Sequence, residues 1–186
     1  MLFRSIALGA GCRSIISFGV AGGLAPDLVP GDCVVASAII DHLTLRPTDP
    51  LWSRKLMEMI PDARHGPILG VNAVVSNLAD KRRLRALTGA VAVDMESHLV
   101  ARLAASHGLT FTAVRVVIDP ADRAVPPAAL LAMAPGGSTD ISSMLRDVFA
   151  RPSQLSPLLR LAADAYVART ALVRLRRALG PGFSSE

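Results

Sequence analysis

The stretch Gly89-Ala90-Val91-Ala92-Val93-Asp94-Met95-Glu96-Ser97-His98-Leu99-Val100-Ala101-Arg102-Leu103-Ala104 changes its hydrophobic period in the middle. Ala90 to Val93 is a short unbroken apolar run after a glycine, the pattern of a buried strand. From Glu96 to His107 the apolar residues Leu99, Val100, Leu103 and Ala104 fall at helical spacing, and Gly108 supplies a stop. Asp94 stands at the junction, where a carboxylate can cap the helix. A strand that feeds directly into a helix is the building unit of α/β folds.

The alternation continues on both sides. Upstream, Ile15 to Gly19 and Asp32 to Ile40 read as strands, and Leu51 to Ile60 as a helix stopped by Pro61. Thr44 to Pro50 reads as a loop, Gly66 to Val75 as a strand, and Ala79 to Leu87 as a short basic helix closed by Gly89. Downstream, Thr110 to Ile118 is β-branched and apolar and ends at Asp119-Pro120. Pro126, Pro127, Pro135, Gly136 and Gly137 make the next stretch irregular, and Ile141 to Phe149 and Leu155 to Leu179 read as helices. The expected fold is α/β, with a mixed, mostly parallel sheet flanked by helices. Residues 1–150 form the α/β domain in this reading, and 151–186 an arginine-rich helical segment.

Composition narrows the function classes. The chain has 186 residues, 51% of them hydrophobic, enough for one domain with a sizeable core. Its mean hydropathy of +0.43 is high. Yet no apolar run reaches the roughly 18–20 residues of a spanning helix, because Arg4, Arg13, Asp27, Asp32 and Asp41 interrupt the N-terminal third. The stretch after Arg4 is short and runs into a glycine-rich segment, so no signal peptide is read and a cytoplasmic location is expected. Cys12 and Cys33 lie in apolar surroundings and read as buried free thiols. His42, His65, His98 and His107 show no metal spacing, so no metal is expected. The net charge of +5 resides mostly from Arg151 onward, where six arginines face Asp164 and Glu186. A basic tail on a nearly neutral body, with only one Trp and one Tyr, does not suggest a nucleic-acid partner.

In open α/β sheets ligands bind at the carboxyl ends of the strands. Three features fall there: Gly19-Val20-Ala21-Gly22-Gly23, Asp94-Met95-Glu96, and Asp119. The glycine segment could bring backbone N–H groups close to a ligand, or be only a tight turn. Glu96 could accept hydrogen bonds from a diol such as ribose, with Met95 packed on the sugar face. Asp119, amid Val116, Val117 and Ile118, is expected to be partly desolvated and protonated, as a general acid requires; a loop-capping role is the plainer alternative.

Together, Ile16-Ser17-Phe18-Gly19-Val20-Ala21-Gly22-Gly23-Leu24, Gly31-Asp32-Cys33-Val34-Val35, Val93-Asp94-Met95-Glu96 and Arg115-Val116-Val117-Ile118-Asp119-Pro120-Ala121-Asp122 resemble the purine nucleoside phosphorylase superfamily. Their order resembles the methylthioadenosine/S-adenosylhomocysteine nucleosidase branch. Asp94-Met95-Glu96-Ser97-His98, Asp119-Pro120-Ala121-Asp122-Arg123 and the arginine-rich C-terminal helix resemble its hopanoid-associated nucleosidase/phosphorylase members. The resemblance implies that Asp119 protonates N7 of a leaving purine, that Glu96 holds the ribose hydroxyls, and that Met95 packs on the sugar. It implies that Ala21 and Gly22 lie near the base and that Val74 and Val75 line the base pocket. Asn72 stands where relatives often carry Asp, and Ile118 where they carry Ser. The family normally has a further strand and loop before the glycine motif, which supplies a water-activating carboxylate or phosphate contacts. Met1 here stands 18 residues before Gly19, so that region is expected to be missing.

The resemblance thus implies a nucleosidase or phosphorylase releasing adenine, with adenosylhopane one candidate substrate. Alternatives are a methylthioadenosine/S-adenosylhomocysteine nucleosidase, or an inactive nucleoside-binding protein. No cofactor is implied, although phosphate could be a co-substrate. A homodimer is implied. The basic helix 158–179 is expected either to pack on the domain or to touch an anionic membrane surface.

Overall fold

β-Branched and small apolar residues set the frame, because they fill a sheet covered on both sides. A computed structural model describes residues 12–127, 129 and 155–180. The described elements run β1 (Ser14–Gly23), β2 (Cys33–Asp41), β3 (Thr44–Pro47), α1 (Pro50–Met59), β4 (Arg64–Gly70), α2 (Leu78–Thr88), β5 (Ala92–Asp94), α3 (Ser97–Ser106), β6 (Thr110–Asp119) and α4 (Leu155–Ala178). The helix expected over Ile141 to Phe149 lies outside the described residues.

The sheet order is β3-β2-β4-β5-β1-β6. β1–β6, β2–β4 and β4–β5 are parallel; β1–β5, β2–β3 and β2–β6 are antiparallel. The β2–β6 pairing, with Val34 opposite Arg115, bends the sheet back on itself, so five strands close into a small barrel and β3 hangs on its edge. Val34, Ile39, Ile68, Ala92, Ala113 and Val117 pack with Ala101 and Ala104 of α3 in the largest core cluster. Cys33, Val35, Trp52, Leu56 and Val114 form a second cluster, which Leu175 and Leu179 join from the far end of the chain.

Helix ends are fixed by side-chain and glycine caps. Asp49 accepts the Trp52 N–H at 2.7 Å with Pro50 at the start of α1, and Asn77 accepts from Asp80 N–H at α2. Gly89 closes α2 at φ 68°, a conformation with little cost only for glycine.

Four expectations need correction. Thr44–Pro47 is strand, not loop: it pairs with only one neighbour, which tolerates a proline at its end. β4 stops at Gly70 rather than Val75, because its partner β5 ends at Asp94. The glycine segment 19–23 is the end of β1, not a loop after it, paired with β6 on one side and β5 on the other. Cys12 is exposed; only Cys33 is a buried thiol.

Candidate active site

Gly22 is the point where the site is assembled. It pairs with Val93 of β5 and, after a register shift at Ala21/Gly22, with Asp119 of β6. A Cβ at Gly22 would lie 3.2 Å from Asp119 Oδ1 and 3.4 Å from Val93 Cγ1, so only a bare backbone lets the carboxylate and β5 approach so closely. The strand ends thus bring Ala21, Gly22, Asp94 and Asp119 to one place. The loop 71–77 after β4 closes it with Val74 and Val75, and the turn into α3 adds Met95 and Glu96.

All seven residues singled out in the sequence line one cleft: Ala21, Gly22, Val74, Val75, Met95, Glu96 and Asp119. Its free space is about 560 Å³, open mouth included. Val20, Val71, Val93 and Ile118 make much of the remaining wall apolar. Met95 and Glu96 are exposed at the mouth, and Glu96 has no ion-pair partner among the described residues. The arrangement can hold a flat apolar group between backbone and valines, with one carboxyl at the far end and another at the entrance.

The carboxyl at the far end is not surrounded as expected. Asp119 is not simply buried among valines: Lys81 Nζ of α2 lies 2.5 Å from its Oδ2. The expectation of a carboxyl protonated through desolvation alone is therefore replaced by a carboxyl held in an ion pair. Lys81 lies outside the cleft lining and reaches the carboxylate from behind. Its sequence signal is thin, one of only two lysines in the chain, in a helix that reads as a solvated basic face.

Asp94 has a larger part than capping. Its Oδ1 accepts the Ser97 N–H at 3.1 Å, as a cap does. Its Oδ2 meets Arg115 Nε at 2.5 Å. Arg115 also donates to Ser17 Oγ at 2.7 Å, Ser97 Oγ at 2.8 Å and the Val114 carbonyl at 3.0 Å. Ser97 Oγ donates back to Asp94 Oδ2. Arg115 is only 1% exposed, and this network under the cleft ties β1, β5, α3 and β6 together. Asn72 does not line the cleft; its Oδ1 holds His98 Nε2 at 3.0 Å.

Comparison with known proteins agrees with this geometry. Residues 1–150 match the phosphorylase superfamily. No curated protein matches the sequence. Among solved structures, a Weissella paramesenteroides protein assigned as a methylthioadenosine nucleosidase aligns at TM-score 0.58 and 22% identity over 65% of this chain; the chain spans 64% of that protein, just under two thirds. Native futalosine hydrolase of Helicobacter pylori aligns at TM-score 0.62 and 23% identity, over 78% of this chain and 73% of that one. S-adenosylhomocysteine nucleosidase from Streptococcus pyogenes, in complex with 5-methylthiotubericidin, aligns at TM-score 0.63 and 17% identity over 97% and 74%. At these identities the likeness is one of fold.

Proposed function

The chain belongs to the phosphorylase superfamily, and on that premise we propose that it cleaves the N-glycosidic bond of an adenosine-type nucleoside and releases adenine. The observation that carries the reading is the meeting of Asp119, Glu96 and an apolar, partly backbone wall in one cleft. Breaking C1′–N9 leaves an oxocarbenium-like sugar and an electron-rich purine. Asp119 acts at the purine. Its Oδ2 is engaged by Lys81, so Oδ1 is the oxygen that takes up a solvent proton once the base is bound and passes it to N7 as the bond breaks. Glu96 accepts hydrogen bonds from the ribose hydroxyls, and these strengthen as positive charge grows on the ring. Met95 covers the sugar face, while Ala21, Gly22, Val74 and Val75 enclose the base. Phosphate, or water that gives up a proton to solvent, then captures C1′, and Asp119 is left ionised beside Lys81 as it began. No cofactor takes part in this scheme; phosphate enters only as co-substrate.

The 5-methylthiotubericidin complex of the Streptococcus pyogenes protein supports an adenosine-type substrate with an apolar 5′ group. The hopanoid-associated resemblance adds adenosylhopane to the candidates. The test is adenine release from adenosine, methylthioadenosine, S-adenosylhomocysteine and adenosylhopane, each with and without phosphate. Asp119→Asn is expected to lower kcat by about 10²–10⁴, the worth of positioned proton transfer. Unchanged turnover in that variant overturns the acid assignment.

Two association proposals accompany this reading. The first is a homodimer, supported by the family and by exposed Leu43, Leu45 and Leu99; light scattering at the mass of one chain would exclude it. The second is peripheral contact between α4 and anionic lipid, supported by Arg169, Arg174, Arg176 and Arg177 beside exposed Tyr166 and Val173. No helix among the described residues is long and apolar enough to cross a membrane. Sedimentation with phosphatidylserine vesicles that is unchanged when those four arginines become glutamine would exclude lipid contact.

A further inference from the structure

Lysine is among the residues least often buried, because moving an ammonium out of water costs several kcal/mol unless it is fully paired. Lys81 is 1% exposed. Its three N–H bonds meet three acceptors: Asp119 Oδ2 at 2.5 Å, the Pro120 carbonyl at 2.7 Å and the Arg123 carbonyl at 2.9 Å. An ammonium has three donors and no more, so the tripod is complete and leaves the side chain one orientation. The three acceptors are not scattered. They fall within the five residues 119–123, at the last residue of β6 and in the turn after it, and they include the carboxylate that faces the cleft.

We propose that Lys81 is a positioning residue for the glycosidic cleavage set out above, an inference that rests on that reading. It clamps Asp119 Oδ2 and the turn 120–123 from behind, so that Oδ1 points to the leaving base. The ladder alone does not fix this carboxylate. Asp119 is the last residue of β6, and the register shift beside Gly22 loosens the pairing there. Gly22 faces the carboxylate from one side, with no room for a Cβ between them without a shift, and Lys81 holds it from the other. The pair as a whole is weak evidence for stability, since replacing both partners of a buried ion pair by apolar side chains is often neutral or stabilising. A rigid, charge-assisted hold on a reacting carboxylate is what the ammonium adds, and positioning of that kind separates kcat from KM.

The test is a double-mutant cycle read on adenine release from methylthioadenosine and on adenine binding by calorimetry. Lys81→Met is expected to lower kcat by about 10²-fold while KM changes less than about threefold. In an Asp119→Asn background the same change should cost less than about threefold, because the residue it acts through is already disabled. An equal loss in both backgrounds, or a loss below about threefold in the parent chain, overturns the proposal. Adenine affinity is the second readout, expected to fall about tenfold in Lys81→Met and not at all in the Asp119→Asn background. Where circular dichroism shows Lys81→Met unfolded, Lys81→Gln replaces it in the same cycle and is judged by the same two outcomes. A parent chain that binds adenine but releases none overturns the cleavage reading, and the affinity cycle then decides Lys81. A parent chain that neither binds nor cleaves overturns both.

Discussion

Arg115 is the residue on which the site floor depends. Its guanidinium is buried and surrounded by Asp94, Ser17, Ser97 and the Val114 carbonyl. Arg115→Met should therefore destabilise the chain by about 3–5 kcal/mol in urea unfolding, because it leaves Asp94 buried and unpaired. Adding Asp94→Leu should restore most of the loss; if the double variant is no better than the single one, the cost lies in packing and not in the charge. Glu96 is different in kind, exposed and unpaired, so Glu96→Gln should leave the unfolding midpoint within about 0.5 kcal/mol. In the proposed reaction it should still cost about 10–10²-fold in kcat/KM, measured as adenine release, through the weaker acceptor it offers to the ribose hydroxyls. The two residues also show what can be read at this scale. Asp119 and Glu96 stood out by their place at strand ends, but the roles expected of them came from the family resemblance. Arg115 carried a signal that went unused: a single charge inside the apolar run 111–118, which a central strand accepts only if it is paired. Lys81 could not be found, since whether a helical lysine is solvated or buried depends on which face the barrel covers.

The elements follow the same logic of contact. α3 lies directly on the end of β4, and Gly70 is what allows it. A Cβ at Gly70 would come within 2.3 Å of His98 Cβ and 2.6 Å of His98 Cγ, so one of the two elements would have to move. Gly70→Ala should cost about 1–3 kcal/mol in thermal or urea unfolding, the range for overpacking a core. It should also weaken substrate binding, because α3 carries Glu96 at its start. An unchanged midpoint would mean that β4 and α3 are not held as described. The main elements were legible because their periods are strong and their stops explicit, as at Pro61 and Gly89. The misread ones share a cause. Where a strand ends depends on where its neighbour ends, and this decides β4 at Gly70 and the continuation of β1 through Gly23. Neighbours are a property of topology, and a single strand's pattern does not contain them. β3 escaped for a related reason: an edge strand of four residues needs no apolar alternation to persist.

At the scale of the whole molecule, the barrel is closed by β2 against β6, and α4 returns from the end of the chain to cover that seam. Cys33 sits at the seam, opposite Val116 and in one cluster with Trp52, Leu56 and Leu179. Burial, reinforced by Asp32, pushes its thiol up from 9.0 to about 12. A thiol whose folded-state value is raised keeps its proton after the unfolded chain has lost it. The stability it contributes is thus fully present below pH 9 and falls progressively from pH 9 toward 12. Two measurements follow. Urea midpoints should decline as pH is raised from 9, and Cys33→Ala should show a shallower decline than the parent chain; equal slopes would mean that the thiol is not the titrating group. Thiol labelling at about pH 8 should modify exposed Cys12 at once and Cys33 only when the structure opens, since the thiolate is the reactive form. In a Cys12→Ser chain, Leu175→Ala with Leu179→Ala should speed Cys33 labelling by at least about tenfold, because those leucines hold α4 over the seam. If the rate is unchanged, α4 does not seal the barrel, and the arginine-rich helix must be regarded as attached to the domain without being part of its core.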